Sequence, residues 1–171
     1  MENSRMTNRE LERKAGEIRK ALLETIHHAG SGHIGGSMSI ADILSVLYFD
    51  AMNVEPSDPE KKDRDRLVLS KGHCSPALYA TLALKGFFPP EKLKDFRRID
   101  ADMSGHVEMH VPGVDMSTGS LGQGLSVALG MAMCAKAKGY QSRVYAILGD
   151  GEIQEGQIWE AAMLAGSRKL D

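Results

Sequence analysis

The sequence predicts an α/β fold, a parallel sheet flanked by helices, and three features support that prediction. Residues 144–148 (VYAIL) form an unbroken apolar run, which is typical of a strand covered on both faces in a parallel sheet. The run stops at Gly149, Asp150 and Gly151, and a helical pattern resumes just after them. A second short apolar run, residues 67–69, is also followed by a loop and a helical pattern. Because ligands of such sheets bind beyond the carboxyl ends of the strands, both loops are candidate binding loops.

The composition is that of a globular protein, and it lacks the excess positive charge that binds nucleic acid or an anionic membrane. The chain has 171 residues, of which 42% are hydrophobic and 26% charged, and its formal net charge is -2. A domain of this length buries about 70% of its unfolded surface, which is ample for a core. Residues 1–13 contain no apolar signal segment, and no apolar run is long enough to cross a bilayer. The sequence predicts a cytoplasmic protein with no nucleic-acid or membrane partner.

Cys74 and Cys134 form no CxxC pair, which favours reduced thiols over a disulfide or a zinc site.

The first helix is bounded by recognisable signals. Thr7 and Glu10 have the spacing of a capping box, and apolar residues then recur at steps of three and four until Gly30. Residues 31–37 (SGHIGGS) follow as a predicted loop with three glycines around His33. A histidine in such a loop is either a simple turn residue or a functional imidazole.

A second helix is predicted over residues 40–52, with Ser39 as its N-cap. Five of its apolar side chains are expected in the core: Ile43, Leu44, Val46, Leu47 and Tyr48. The connector at residues 53–66 mixes charges of both signs with two prolines, which favours a solvated loop over a binding patch.

The first strand leads into a loop, residues 70–75 (SKGHCS), that contains His73. Ser75 and Pro76 are the predicted N-cap and first residue of a helix that ends at Gly86. His73 therefore lies where a strand gives way to a helix, the usual place for a binding residue, although local hydrogen bonding within the loop is the alternative.

A long irregular segment separates the two strands. A short charged helix is predicted over residues 89–98, and residues 104–124 show almost no periodicity. Their high glycine content and the apolar helix predicted over residues 125–137 favour an ordered binding loop over disorder. His106 and His110 are not a predicted zinc site, because a pair four residues apart converges only on a helix, and nearby prolines and glycines disfavour one.

Asp150 is a candidate metal ligand. The glycines on either side let the chain turn sharply and leave space for a phosphate, and a carboxylate suits Mg²⁺ or Ca²⁺. A plain strand-to-helix turn would use the same residues, so the loop alone leaves both interpretations open.

Five separated motifs together resemble the N-terminal, diphosphate-binding part of transketolase, and most closely the N-terminal subunit of the split, two-gene transketolases. In chain order they are residues 31–37 (SGHIGGS), 69–75 (LSKGHCS), 105–108 (GHVE) leading to 112–114 (PGV), 118–124 (TGSLGQG) and 149–156 (GDGEIQEG). Because the motifs span most of the chain, residues 1–171 are expected to form the N-terminal part of a thiamine-diphosphate-binding domain.

The resemblance implies which residues bind the cofactor. Asp150 would hold the Mg²⁺ or Ca²⁺ that bridges to thiamine diphosphate, and the backbone around Gly151 would approach the diphosphate. Gly119 and Leu121 would contact the aminopyrimidine side, and His73 would also contact the cofactor.

The resemblance also implies catalytic and interface residues. His33, His73 and His106 would be catalytic residues around the reactive carbon of the cofactor and the sugar hydroxyls, where imidazoles can move protons near neutral pH. Glu155 and Glu160 match acids that link cofactor sites across a subunit interface. The alternative interpretation is that both are exposed acids in the first turns of a helix.

The activity implied by the resemblance needs a partner. A C-terminal transketolase subunit with the pyrimidine-binding domain would complete a homo- or hetero-oligomer that transfers a two-carbon ketol unit from a ketose phosphate to an aldose phosphate, as in the pentose phosphate pathway. Two alternatives stay open: an inactive structural or interaction module of the same fold, and an enzyme similar to 1-deoxyxylulose-phosphate synthase.

The sequence departs from the family pattern in two ways. Ile34, Val107 and Ser120 stand where single-chain members usually have proline, which could loosen the binding loops. The family motif that begins at Gly149 closes with an asparagine that supplies a second metal ligand, and this sequence ends at Asp171 before reaching it. From this we expect a fold that is incomplete at its C-terminus, and no ketol transfer by these 171 residues alone.

Overall fold

The strands in the described part of the chain form a small parallel sheet. The computed structural model describes residues 5–170. Strand β1 (Arg66–Leu69) pairs in parallel with strand β2 (Val144–Ile147), so that Leu67 lies opposite Tyr145 and Leu69 opposite Ile147. The predicted α/β class, a parallel sheet flanked by helices, is confirmed.

Helices account for most of the regular structure between residues 5 and 170. They are α1 (Asn8–Ala29), α2 (Ile34–Met38), α3 (Ala41–Val46), α4 (Ser75–Lys85), α5 (Gly124–Ala137) and α6 (Gly156–Arg168). A π-helical turn continues α3 at Leu47–Ala51, and 3-10 turns lie at Gly72–Cys74, Pro90–Asp95 and Glu152–Gln154. None of the helices in this range has both the length and the apolar character that crossing a bilayer requires.

The first helix has both of its predicted ends. The backbone N–H of Thr7 donates to the Glu10 carboxylate at 2.8 Å, and the Glu10 N–H donates back to the Thr7 hydroxyl at 3.4 Å. Gly30 ends the helix in the left-handed region, at φ 67°. One stripe of α1 is buried, comprising Ala15, Ile18, Leu22, Thr25 and Ile26.

Strand β1 is buried on both faces. Leu67 and Leu69 belong to the main apolar cluster, which also contains side chains of α1, α3 and α4. Val68 points to the opposite face and is likewise buried, and α5 contacts both strands. Because the strands are parallel, both of their carboxyl ends reach the same edge of the sheet.

Strand β2 is less covered than its apolar sequence predicts. Ile147 is buried, but Val144, Tyr145 and Ala146 are only partly so. The expectation of cover on both faces is therefore wrong for most of this strand. A continuous apolar run shows that a strand can tolerate burial, and it does not identify the elements that lie against it.

The glycine-rich segment after α1 is more ordered than predicted. The expected loop at residues 31–37 includes most of the short helix α2. Ser39 does not cap the next helix, because its hydroxyl donates to the Gly36 carbonyl at 2.9 Å and Ile40 occupies the N-cap position. A side chain at position 36 would lie 2.7 Å from the Cys74 sulfur, so tertiary packing fixes this segment where local propensity would not.

The apolar residues of α3 and its π-helical turn do not all enter the core. Leu44 and Tyr48 are buried and Leu47 is partly buried, as predicted. Ile43 and Val46 are 47% and 42% exposed, so their assignment to the core is wrong. A short helix packed on one side buries one face only.

The remaining helix ends lie close to their predicted positions. Gly86 ends α4 in the left-handed region at φ 102°, and Gly139 follows α5 at φ 70°. Ser75 is the first residue of α4 and not its cap, and the helix predicted over residues 89–98 is the shorter turn Pro90–Asp95.

An arginine of the charged connector forms a buried ion pair with an aspartate outside the connector. The expectation of a solvated loop at residues 53–66 is wrong for Arg64 and Asp65, which are 5% and 6% exposed. The Arg64 guanidinium lies 2.6 Å from the Asp115 carboxylate, which also accepts a hydrogen bond from the Leu67 N–H at 2.8 Å. Mixed charges in a sequence do not distinguish solvated residues from those paired with a distant segment.

We expect Asp115→Ala to lower the free energy of unfolding by about 3–5 kcal/mol, because it leaves a buried guanidinium without its partner. Asp42→Ala is the matched control, since it removes an exposed ion pair with Arg19 and should cost less than about 1 kcal/mol. Urea unfolding followed by circular dichroism measures both. Losses of equal size in the two variants would show that the buried pair contributes nothing special.

Candidate active site

Three imidazoles from distant parts of the sequence meet at the carboxyl edge of the sheet. The ring centroid of His33 lies 5.0 Å from that of His73 and 6.2 Å from that of His106, both in edge-on geometry. His33 immediately precedes α2, His73 lies in the 3-10 turn after β1, and His106 lies in the long irregular segment. The structure thus brings all three predicted catalytic residues together.

His106 is held in place from the start of α4. The Tyr79 hydroxyl donates to the His106 carbonyl at 2.9 Å, and the Ser75 hydroxyl donates to the Gly105 carbonyl at 2.9 Å. Both donors lie on a helix that is buried along most of its length. The irregular segment is therefore an ordered loop at this point.

The loop after β1 and the segment before α5 touch backbone to backbone. A Cβ at Gly72 would lie 2.5 Å from the carbonyl carbon of Thr118, so no side chain fits there. The Thr118 hydroxyl donates to the Leu69 carbonyl at 2.5 Å, and the Val107 N–H donates to the Gly72 carbonyl at 3.2 Å. These bonds place the two loops beside the end of β1.

A cleft of about 570 Å³ opens beside the histidines. Its walls are formed by Gly35, Gly36, Ser39, Lys71, His73, Leu121, Gly149, Asp150, Gly151 and Glu152. Four of the predicted cofactor or metal residues, His73, Leu121, Asp150 and Gly151, therefore share one cavity. A cavity of similar size, about 590 Å³, lies between α1 and the turn Pro90–Asp95, and it contains none of the predicted site residues.

The other predicted site residues lie outside this cleft. Gly119 lies next to His106, since a Cβ on it would be 3.1 Å from the imidazole Cδ2. Glu155 and Glu160 are exposed at the start of α6, where Glu155 is the N-cap residue. Gly119 is therefore close to the histidine cluster, whereas the two acids face away from the core.

Lys71 is a cleft residue that the sequence analysis did not single out. It is 8% exposed, and its ammonium lies 3.3 Å from the Gly36 carbonyl and 3.4 Å from the Ser39 hydroxyl. No ion pair within residues 5–170 involves it. A buried ammonium usually has an anionic partner, so this cleft suits an anionic ligand. In the sequence, the signal that could have identified Lys71 was its position two residues before His73.

Glu152 is the second cleft residue that the sequence analysis missed. It is 2% exposed, and its carboxylate accepts hydrogen bonds from the Ser70 hydroxyl and from the N–H groups of Gly122 and Gly149, the latter two at 2.9 Å. The sequence gives no sign of this burial, because an acid just after a Gly-Asp-Gly turn is normally solvated.

Asp150 is exposed at the cleft, and its carboxylate makes no hydrogen bond or ion pair with the rest of the described chain. Within residues 5–170, no group of three or more His, Cys, Asp or Glu side chains could enclose a metal ion. Asp150 is the exposed carboxylate of the cleft, and the rest of the oxygen shell of a cation bound to it would come from a ligand or from water.

The pKa of His73 lies below its usual value. Burial is the main cause, and the neighbouring His33, Lys71 and His106 act in the same direction, while Glu152 opposes them. Burial and the neighbouring basic side chains both disfavour a charged imidazole. His73 is therefore a neutral imidazole at neutral pH.

The depressed pKa of His73 makes part of the stability depend on pH. As the pH falls, the imidazole of the unfolded chain is protonated first, near a pKa of about 6.5, and this favours unfolding. The contribution is complete above about pH 6.5 and is lost as the pH falls through the folded pKa. We expect the free energy of unfolding to fall less between about pH 7.5 and about pH 5.5 in His73→Gln than in the unchanged protein. Urea titrations measure both slopes, and an NMR-titrated His73 pKa at or above the ordinary value would contradict this account.

Comparison with known proteins assigns the family. The family model described as "Transketolase, thiamine diphosphate binding domain" matches residues 11–171. The chain belongs to the transketolase family. The family match therefore covers almost the whole sequence and includes all five motifs.

Two curated relatives of this transketolase-family chain are subunits. It is 52% identical over 163 residues to the 6-deoxy-6-sulfo-D-fructose transketolase subunit SqwG of Clostridium sp. (strain MSTE9), covering 95% of this chain and 59% of the relative. It is 47% identical to an apulose-4-phosphate transketolase subunit of Phocaeicola vulgatus, covering 94% of this chain and 57% of the relative. The chain thus spans a little under three fifths of the length of either relative.

A solved structure shows the same fold. The crystal structure of transketolase from Campylobacter jejuni superposes with a TM-score of 0.90 at 38% identity, covering 96% of this chain and 27% of that one. The cleft fits the cofactor of this transketolase domain in two respects. Lys71 provides a buried positive charge, and the glycines of the wall leave room for a diphosphate close to the backbone.

Proposed function

We propose that this chain is the thiamine-diphosphate-binding component of a transketolase that transfers a two-carbon ketol unit from a ketose to an aldose. The observation that supports this most is the cluster of His33, His73 and His106 beside a cleft that contains Lys71 and Asp150. In this proposal residues 1–171 form the N-terminal part of the diphosphate-binding domain.

The cleft residues would hold the cofactor. The Lys71 ammonium would neutralise diphosphate charge, and Asp150 would bind the Mg²⁺ or Ca²⁺ that accompanies it. The backbone at Gly151 would lie against the diphosphate, with Leu121 and Gly119 on the aminopyrimidine side. When bound, thiamine diphosphate supplies the carbanion stabilisation that a ketol transfer requires.

The three histidines would form hydrogen bonds with the sugar and transfer its protons. His73 is neutral because its pKa is depressed by burial, so it can accept a hydrogen bond or a proton at neutral pH. His33 and His106 are more exposed and lie on the solvent side of the cluster, where they can donate hydrogen bonds to sugar hydroxyls. Moving protons between these hydroxyls and water is the chemistry that the protein itself would contribute.

The substrate and partner are proposed from the chain's relatives. Two of these are named for a sulfosugar and for a sugar phosphate, so we infer a sugar with an anionic end group. A C-terminal subunit with the pyrimidine-binding domain would complete the enzyme as a homo- or hetero-oligomer, with Glu155 and Glu160 at an interface. The cytoplasm, and for sugar phosphates the pentose phosphate pathway, are the proposed setting.

Titration calorimetry tests the proposal. Thiamine diphosphate should bind the complete subunit in the presence of Mg²⁺ and much more weakly in EDTA. Ketol transfer should appear when the C-terminal partner is added, with a dependence on partner concentration. A complete protein that binds no thiamine diphosphate under any of these conditions would overturn the proposal in favour of a structural module of the same fold.

A further inference from the structure

We propose that Glu152 is a positioning residue that fixes the shape of the cofactor cleft, an inference that rests on the proposed function. Its carboxylate accepts hydrogen bonds from three separate segments of chain. The Ser70 hydroxyl donates from the end of β1, the Gly122 N–H from the segment before α5, and the Gly149 N–H from the loop after β2, the last two at 2.9 Å.

Each of these bonds lies next to a residue that faces the cleft. Ser70 directly precedes Lys71, Gly122 directly follows Leu121, and Gly149 directly precedes Asp150. One carboxylate thus joins the three segments that would hold the diphosphate, the aminopyrimidine and the metal ion.

The three donors are buried together with the carboxylate. Glu152 is 2% exposed, so water does not reach its carboxylate freely. A Cβ on Gly124 would lie 2.6 Å from the Cβ of Ser70, so the end of β1 and the start of α5 are already in contact and cannot close further. A buried N–H that loses its acceptor must stay unsatisfied or move toward solvent, and either outcome shifts the loop that contains it.

Electrostatics alone predicts the opposite effect of removing this charge. Glu152 lines the same cleft as Lys71, and a negative charge there repels an anionic ligand. If Glu152 acted only through its charge, neutralising it would strengthen diphosphate binding. If it positions the loops, neutralising it weakens binding.

Glu152→Gln is the decisive variant. The amide keeps the size of the side chain but replaces one accepting oxygen with an NH₂ group, so at least one of the three donors loses its acceptor. We expect the Kd for thiamine diphosphate in the presence of Mg²⁺ to rise by about 10- to 100-fold. Amide hydrogen exchange should accelerate in residues 119–124 and 149–152.

Asp115→Asn is the matched control. Asp115 is also a buried carboxylate that accepts from a backbone N–H, but it lies at the opposite end of β1, on Leu67. Its loss should lower stability without changing the Kd for thiamine diphosphate or the exchange of the two cleft loops. A purely structural role for Glu152 would give the same pattern in both variants.

The outcomes separate this inference from the proposed function. Unchanged or tighter cofactor binding in Glu152→Gln, or an equal loss in Asp115→Asn, would overturn the positioning role. If the unchanged protein binds no thiamine diphosphate, the proposed function fails, and the exchange data alone decide whether Glu152 holds the loops. If Glu152→Gln does not fold, Ser70→Ala removes one donor and keeps the carboxylate. That variant should raise the Kd by a smaller factor, and no change in it would count against the inference.

Discussion

Asp150→Ala is expected to weaken Mg²⁺-dependent binding of thiamine diphosphate by at least about 100-fold while leaving the fold intact. The Asp150 carboxylate is exposed at the cleft, whereas that of Glu152 already accepts three hydrogen bonds, so Asp150 is the acid that can join a divalent cation to the diphosphate. Because Asp150 is exposed and makes no side-chain hydrogen bond within the described chain, its removal leaves no buried group without a partner.

The dependence on Mg²⁺ is the readout that matters. In EDTA, loss of a negative charge should slightly favour an anionic cofactor, so the variant and the unchanged protein should then bind with similar, weak affinity. Calorimetry with and without Mg²⁺ measures this, and circular dichroism checks the fold. Asp58→Ala, which removes an exposed carboxylate from the connector, should change neither. An Asp150→Ala protein that keeps its Mg²⁺-dependent affinity would remove Asp150 from the metal site.

If the proposed function holds, His33→Ala is expected to lower kcat/KM for ketol transfer by about 10²- to 10⁴-fold in the complete subunit mixed with the proposed C-terminal partner. His33 is the central member of the cluster, with its ring within 6.2 Å of both other imidazoles. It does not line the proposed cofactor cleft, so the affinity for thiamine diphosphate should change little. The loss should therefore appear in turnover and in the KM for sugar.

His28→Ala provides the control for this variant. His28 is an exposed histidine in the last turn of α1, close in sequence but outside the cluster. Steady-state rates at saturating cofactor, together with calorimetric binding, separate the two effects. Full activity in His33→Ala would exclude a catalytic role, and a loss of rate that only follows a loss of cofactor binding would reassign His33 to the cofactor site.

The elements that could be predicted from sequence are those with local signals. The capping box at Thr7, the glycine stop at Gly86 and the apolar run of β1 each depend on neighbouring residues, and all three are present in the structure. His33, His73 and His106 could be expected together because the resemblance places all three around the reactive carbon of the cofactor. Sheet topology alone would place only His73, which follows β1, at the carboxyl edge.

The features that could not be predicted depend on partners distant in sequence. Arg64 is buried because Asp115 faces it, and nothing within the connector indicates that partner. Glu152 is buried because Ser70 and Gly122 approach it from other parts of the chain. The same limit explains β2, whose apolar sequence fits burial but cannot reveal which face has a neighbour.

A crystal structure of the complete subunit with thiamine diphosphate and Mg²⁺ tests the central claim most directly. We predict the diphosphate beside the Lys71 ammonium, the metal ion on the Asp150 carboxylate, and the reactive carbon of the thiazolium ring facing the three imidazoles. A cofactor bound in another cavity, or bound in this cleft with its reactive carbon turned away from His33, His73 and His106, would contradict the account.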